Sequence, residues 1–395
     1  MSNIHKIFAG LIFILAIAGA AFAQCPAGAQ GCNLVCAVSF GFGNSTYCAL
    51  VDDTGNVYQN LSFFPPCVKP GCFPAAQALV RTSDGNIGSF MMQGSSSGVY
   101  SFTLSRMSVN PQLVYLQSKT IPKPAAMNVT GYPILQAVRT ADRTHPYIGY
   151  IRRSAGKASA NAPKIAAFSL IQLGDDELEK EIIDILRINE DEFEIIGGSI
   201  GDQDQGLVAW AVVRLRNKKT GEVIEKAVRI VDGVAKDTIN LDVDLEPVND
   251  PSPPRFSLDP TPVETTAIMG TGAGFQRFVL YRLIRLSGGS FQSQVYLRVV
   301  DDASGKPGPL RNIAPRAKTV QPTAEAFQSV AIDPNKRFAV YSYSDPNCGG
   351  ALVVRFQRLN PATGTKIGPP RSVIGCSQLK TTITGLYGLD IMNLQ

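Results

Sequence analysis

Histidine is almost absent from this chain of 395 residues, which has only His5 and His145. That scarcity excludes a multi-histidine metal centre and leaves any His-dependent hydrolase a single imidazole to work with. Tryptophan occurs once, at Trp210, and charged residues make up only 17% of the chain. Such a composition belongs to a packed globular protein, not a disordered one. No C-x-x-C pair, H-E-x-x-H run or P-loop is present, so the local signatures of zinc ribbons, zincins and phosphate-cradling NTPases are missing. Beyond residue 23 no apolar stretch approaches the roughly 18 residues of a membrane span.

What is present begins with a leader. Lys6 precedes an unbroken apolar and small-residue run over 7–23, which ends in Ala21-Phe22-Ala23, the small-x-small pattern of signal-peptidase sites. Residues 1–23 are therefore expected to be a signal peptide, and the mature protein to be periplasmic or extracellular. Without the leader the 37 basic residues lose Lys6 and stand against 32 acidic ones, a net charge of +4. That excess is too thin to argue for nucleic acid. Arg277, Arg282 and Arg285 lie beside Phe278 and Tyr281, but strand spacing puts them on alternate faces, so they form no single platform.

All eight cysteines fall in the mature chain. Cys25, Cys32, Cys36, Cys48, Cys67 and Cys72 crowd a segment over 24–72, while Cys348 and Cys376 lie far downstream. An exported protein meets an oxidising compartment, so disulfides are expected. Cys36 and Cys48 face each other across a hairpin centred near residue 42 and are expected to pair. Cys25, Cys32, Cys67 and Cys72 share two bridges of open connectivity. Cys348, between two strands, and Cys376, after the fourth strand of the same unit, are expected on one face within bridging reach.

Gly (36) and Pro (26) are plentiful, as suits a turn-rich β protein. Short β-rich runs recur, and several precede a small hydroxyl residue followed by Gly, as at Thr54-Gly55, Thr220-Gly221, Ser304-Gly305 and Thr363-Gly364. Gly takes the positive φ that such hairpin turns require. With two poorer turns, at 110 and 174, the markers stand at 55, 110, 174, 221, 305 and 364, giving gaps of 55, 64, 47, 84 and 59. A period near 60 suits one four-stranded propeller blade, and six markers imply six blades. The long gap holds an Asp/Pro-rich stretch near 237–264, read as an insertion. Residues 34–40, 47–51 and 57–63 supply only three strands for the first blade, so a strand at 381–390 is expected to complete it and close the ring. Residues 73–395 then hold the remaining blades of the same domain. Residues 175–194 fit either a short helix or a charged outer strand. Gly270-Thr271-Gly272-Ala273-Gly274 precedes a strand-like run and reads as a turn rather than a phosphate cradle.

Val80-Arg81-Thr82-Ser83-Asp84 returns as Val138-Arg139-Thr140-Ala141-Asp142. A related unit runs Phe327-Gln328-Ser329-Val330-Ala331-Ile332-Asp333-Pro334-Asn335-Lys336-Arg337-Phe338-Ala339-Val340-Tyr341. This unit resembles the repeat of TolB-type, WD40-like β-propellers, in which a strand, an Asp-Pro turn and a second strand form the inner half of a blade. The resemblance covers about 20 residues and implies a fold, not an activity.

The expected fold is thus an all-β, six-bladed β-propeller closed by the C-terminal strand, with a disulfide-rich N-terminal segment. Glu194, Glu264 and Glu325 fall near the starts of innermost strands, where three carboxylates could hold Ca²⁺. His145 stands in a turn-like Arg143-Thr144-His145-Pro146 context and reads as a surface residue. With no recognisable nucleophile and no cofactor motif, the leading expectation is a monomeric, non-catalytic binding module that takes a protein or glycan ligand on one propeller face. The alternative is a Ca²⁺-dependent hydrolase of lactones or sugars that uses the channel carboxylates.

Overall fold

The computed structural model describes residues 29–39, 45–65, 73–82, 84–95, 98–110, 112–122, 137–138, 147–153, 165–173, 178–202, 208–231, 234–241, 263–270, 275–287, 290–301, 306–307, 309, 311–318, 330–333, 335–375 and 386–394. Apart from one 3₁₀ turn at Pro346–Cys348, their regular structure is β-strand, with no α-helix among the described residues.

The first sheet holds β1 (Asn33–Ser39), β2 (Thr46–Val51) and β3 (Val57–Phe63). The second holds β4 (Phe73–Arg81), β5 (Ile87–Ser95), β6 (Gly98–Ser108) and β7 (Val114–Pro122). The third holds β8 (Ala137–Val138), β9 (Tyr147–Arg153), β10 (Ile165–Leu173) and β11 (Leu178–Asn189). The fourth holds β12 (Phe193–Asp202), β13 (Val208–Asn217), β14 (Val223–Val231) and β15 (Val234–Leu241). The fifth holds β16 (Val263–Gly270), β17 (Phe275–Ser287), β18 (Ser290–Asp301), the two-residue β19 (Lys306–Pro307) and β20 (Arg311–Lys318). The sixth holds β21 (Val330–Ile332), β22 (Phe338–Ser344), β23 (Leu352–Leu359) and β24 (Lys366–Ile374). The last strand, β25 (Leu386–Asn393), returns to the first sheet and pairs antiparallel with β1.

The first strand of each sheet touches that of the next. Contacts run β4 to β8, β8 to β12, β12 to β16, β16 to β21, β21 to β25 and β25 back to β4. Antiparallel sheets packed face to face around their first strands make a β-propeller. Burial follows from this arrangement. Strands β1 and β2 have neighbours on both faces and are buried throughout, whereas outer strand β3 alternates until its last residue.

Asx side chains organise the tight turns by accepting from backbone N–H groups that the ladder leaves free. Asp333 Oδ1 accepts from Phe338 N–H at 2.6 Å, and Asn360 Oδ1 accepts from Ala362 N–H at 2.9 Å. Asn217 Oδ1 accepts from Lys219 N–H at 2.9 Å. The glycine after such a turn has positive φ, +81° at Gly55 and +74° at Gly221, as the hairpin reading requires.

One marker is out of phase. Gly55, Asn110, Gly174, Ser304-Gly305 and Gly364 fall between the third and fourth strands of their sheets, but Gly221 falls between β13 and β14, the second and third. The equivalent connection in that sheet is residues 232–233, between β14 and β15. With 232 as the marker, the uneven gaps of 47 and 84 become 58 (174 to 232) and 73 (232 to 305). Turn chemistry identifies a hairpin without saying which hairpin of the sheet it is, and that is how the phase slipped. Of the two readings for 175–194, the charged outer strand holds: β11 is the edge of its sheet. Gly270 of β16 pairs with Phe275 of β17, so a strand follows the glycine-rich run.

Cys36 and Cys48 are bonded as expected and sit directly opposite in the β1–β2 ladder. Cys32 and Cys348 are also in disulfides. Cys25, Cys67, Cys72 and Cys376 lie outside the described residues, as do residues 1–23, where a signal peptide is expected, and His145.

Candidate active site

Antiparallel order gives the propeller two unlike ends. Within each sheet the first-to-second and third-to-fourth connections share one end, and the second-to-third connection shares the other with the exit to the next sheet. Hydrogen bonds across sheets bear this out. At one end Lys218 N–H, between β13 and β14, donates to Glu192 O, between β11 and β12. At the other, Arg337 Nη1, between β21 and β22, meets Asp53 Oδ2, between β2 and β3, at 3.1 Å. The second end is built of short turns such as 52–56, 82–86 and 333–337. The first carries the long connections 123–136, 242–262, 319–329 and 375–385. The longest stretches of chain between described strands therefore fall at that end.

Carboxylates at the short-turn end are occupied by their own turns. Asp52 Oδ1 accepts from Thr54 N–H at 2.8 Å and Asn56 N–H at 2.9 Å, while Oδ2 accepts from Tyr58 O–H at 3.0 Å. Burial by itself raises the Asp52 pKa, but the hydrogen bonds from Thr54, Asn56 and Tyr58 together outweigh it and hold the carboxyl below its ordinary value. The same bond raises the Tyr58 phenol. Asp84 is lowered chiefly by the Thr82 hydroxyl, against the effect of burial, with help from Asn86 and Arg106. Acids with their lone pairs committed in this way are structural.

The inner strands start at the loop-rich end. Glu194 is the second residue of β12 and Glu264 the second residue of β16, and these two strands touch. Glu194 lies opposite Arg216 in the ladder, with Oε2 3.8 Å from Nη1, and its side chain is 39% exposed. Glu264 lies opposite Tyr281. Glu325, in the connection before β21, falls outside the described residues. Two of the three acids singled out in the sequence thus begin neighbouring inner strands at one mouth. Among the described residues no group of three or more His, Cys, Asp or Glu side chains is placed to hold a metal ion.

Arg216 went unnoticed in the sequence, although a signal exists. Counting outward from the β12–β13 hairpin reaches an acid and a base together, but only if the bulge between Ile195 and Gly197 is allowed for. Gly94-Ser95-Ser96-Ser97-Gly98 also has the letters G-x-S-x-G. It joins β5 to β6, so no strand-to-helix elbow presents the serine.

No family model matches the chain, and no curated protein matches it. Among solved structures it is similar to an α-L-arabinanase of Penicillium chrysogenum complexed with arabinobiose, at 11% identity and a TM-score of 0.42, over 84% of this chain and 96% of that one. It is similar to an exo-1,5-α-L-arabinanase from a bovine ruminal metagenomic library, at 13% identity and a TM-score of 0.41, over 77% and 98% of the two chains. The Dos1 propeller is a further likeness, at 11% identity and a TM-score of 0.31, over 88% and 71%. These likenesses concern the propeller fold and do not single out the TolB type. The expectation of a non-catalytic binding module is corrected: the solved structures similar to this chain are mainly arabinanases and other glycoside hydrolases. Scarce histidine does not exclude such chemistry. Glycoside hydrolysis runs on two carboxylic acids and needs no imidazole.

Proposed function

We propose that this chain is an exported, six-bladed propeller that hydrolyses glycosidic bonds at its loop-rich mouth, with Glu194 and Glu264 as the paired carboxyl groups. The observation that carries the reading is their equivalent place, second in each of two touching inner strands. One carboxylic acid protonates the leaving glycosidic oxygen while the other, as carboxylate, activates water or attacks the anomeric carbon. Six sheets and their circuit of contacts support a count of six blades, with β25 proposed as the closing strand of the first. The unit over 327–341 supports a TolB-type blade, since β21, the Asp333 turn and β22 supply its strand, turn and strand.

The acidic oxygens suit Ca²⁺ by type, but Glu194 already faces the Arg216 guanidinium, and a divalent cation at the same carboxylate would meet that charge. The mature protein is a monomer released by cleavage after Ala23, so its N-terminal sequence should begin at Gln24.

The test incubates purified mature protein with arabinan, xylan, pectin and β-glucan and measures reducing ends, with and without chelator. Wild type should release sugar from one of them. Glu194→Gln and Glu264→Gln should each lower that rate by about 100-fold or more while leaving the thermal midpoint in place. No release from any of the four, or variants as active as wild type, would overturn the assignment.

A further inference from the structure

Strand β1 lies between β2, its neighbour in sequence, and β25, the last described strand. On one edge Cys36 is opposite Cys48, and on the other it is opposite Asp390 of β25. Both cysteines are fully buried, and Cys48 Sγ rests 3.7 Å from Met107 Sδ of the second sheet. Asp390 extends the connection outward: its Oδ2 accepts from Leu79 N–H of β4 at 2.7 Å. The disulfide therefore lies in the row of residues that joins β2, β1, β25 and the next sheet.

We infer that the Cys36–Cys48 bond is a redox latch for docking of the C-terminal strand. The two contacts of Cys36 differ greatly in loop length. The disulfide spans 12 residues, whereas the Cys36–Asp390 pairing closes nearly the whole chain and carries a larger entropy of closure. A hairpin fixed by a covalent bond presents a rigid β1 edge to β25, and a reduced hairpin presents a fluctuating one. Oxidation removes two protons and two electrons from the thiols and forms one S–S bond. The electrons pass to an exchanging disulfide, which becomes two thiols. Ring completion is thereby tied to an oxidising compartment, in keeping with the leader and the remaining disulfides. This inference is independent of the catalytic reading.

The test is amide hydrogen exchange on the full mature chain, read by mass spectrometry, comparing wild type with Cys36→Ala/Cys48→Ala. Peptides covering β25 should exchange about 10- to 1,000-fold faster in the variant, while those covering β22 and β23 keep their protection. Unchanged protection in β25, or equal loss everywhere including complete failure to fold, would overturn the latch. A second measurement needs no variant. Wild type is reduced with dithiothreitol at low urea, reoxidised with oxidised glutathione, and sampled by alkylation throughout. Opening of β25 should coincide with appearance of the Cys36 and Cys48 thiols, and its protection should return with the bond. Reduction at constant β25 protection would refute the inference.

Discussion

Towards the sixth sheet, the first presents Val35 and Ala37 of β1, Tyr47, Ala49 and Val51 of β2, and Leu389 and Ile391 of β25. Opposite them stand Phe338, Val340, Leu352, Val354 and Phe356, with the Phe338 and Phe356 rings 4.7 Å apart. Towards the second sheet the same strands present their even-numbered residues. Leu34, Leu50 and Met392 meet Leu79, Ile87 and Met107 near the short-turn end. Nearer the loop-rich end the partners become mixed: Thr46 Oγ1 donates to Met91 Sδ at 3.6 Å, and Gln77, Gln93, Ser101 and Thr103 share the Met91 face, all buried. Gln77 Nε2 donates to Ser89 Oγ at 2.8 Å, and Ser101 Oγ donates to Gln93 Oε1 at 3.3 Å. One seam is mainly apolar over its whole height, with buried Ser342 in line with Phe338 and Val340, and the other is apolar over half its height. Buried amides and hydroxyls return little net stability for their desolvation, so the two seams differ in strength despite equal burial.

The largest effect expected is from removing residues 386–395. That deletion takes Leu389 and Ile391 out of the apolar seam and Asp390 and Met392 out of the mixed one, and leaves β1 with a bare edge. The truncated protein should unfold or aggregate, as read by thermal melting and light scattering. Unchanged melting and solubility would mean that neither seam depends on the last strand. Within the apolar seam alone, Ile391→Ala removes a fully buried side chain and should cost about 2–5 kcal/mol in urea unfolding.

Much of this arrangement was legible in the sequence. Strand period and the small-residue-Gly turns located nearly every sheet, because period-two burial and positive φ are local demands that local residues must meet. The assignment of seam faces then follows from parity, odd residues of β1 one way and even the other. What was not legible required distance along the chain. The Glu194–Arg216 pair depends on a bulge, and the phase of the fourth sheet depended on knowing that Gly221 follows its second strand rather than its third. The sequence offered the hydrolase reading only as an alternative for a different reason: carboxylates are common, and what sets Glu194 and Glu264 apart is their shared position on neighbouring inner strands.

A smaller loss is expected at the short-turn end, where Asp52 organises its own turn beneath both seams. Asp52→Asn leaves one oxygen for the backbone donors but sets an amide against Tyr58 O–H and Asn56 Nδ2. The cost should be about 1–3 kcal/mol near neutral pH. The folded pKa of Asp52 is depressed, so this stabilisation is present above the unfolded value of about 3.9 and disappears as pH falls through the folded one. Urea titrations of both proteins should therefore converge in acid. A gap that persists below both pKa values would assign the effect to packing. Smaller still is Arg337→Ala, which breaks the 3.1 Å contact with Asp53 between the sixth and first sheets. Both side chains are about a quarter to a third exposed, so the loss should be at most about 1 kcal/mol and should shrink with added salt.

The least disturbance, and the sharpest comparison between the seams, is expected at Thr103. It is fully buried in the polar half of the mixed seam, opposite Met91 in the ladder, and its Oγ1 has no hydrogen-bond partner among the described residues. Thr103→Val keeps the β-branched shape and replaces an unsatisfied hydroxyl by a methyl group, which removes a desolvation cost without opening a cavity. Stability should be unchanged or raised by up to about 1 kcal/mol, opposite in sign to Ile391→Ala at equal burial. Urea unfolding of the two variants side by side decides the point. A loss above about 1 kcal/mol at Thr103 would show that its hydroxyl contributes to the seam, and the contrast between a strong and a weak side of the first sheet would fail.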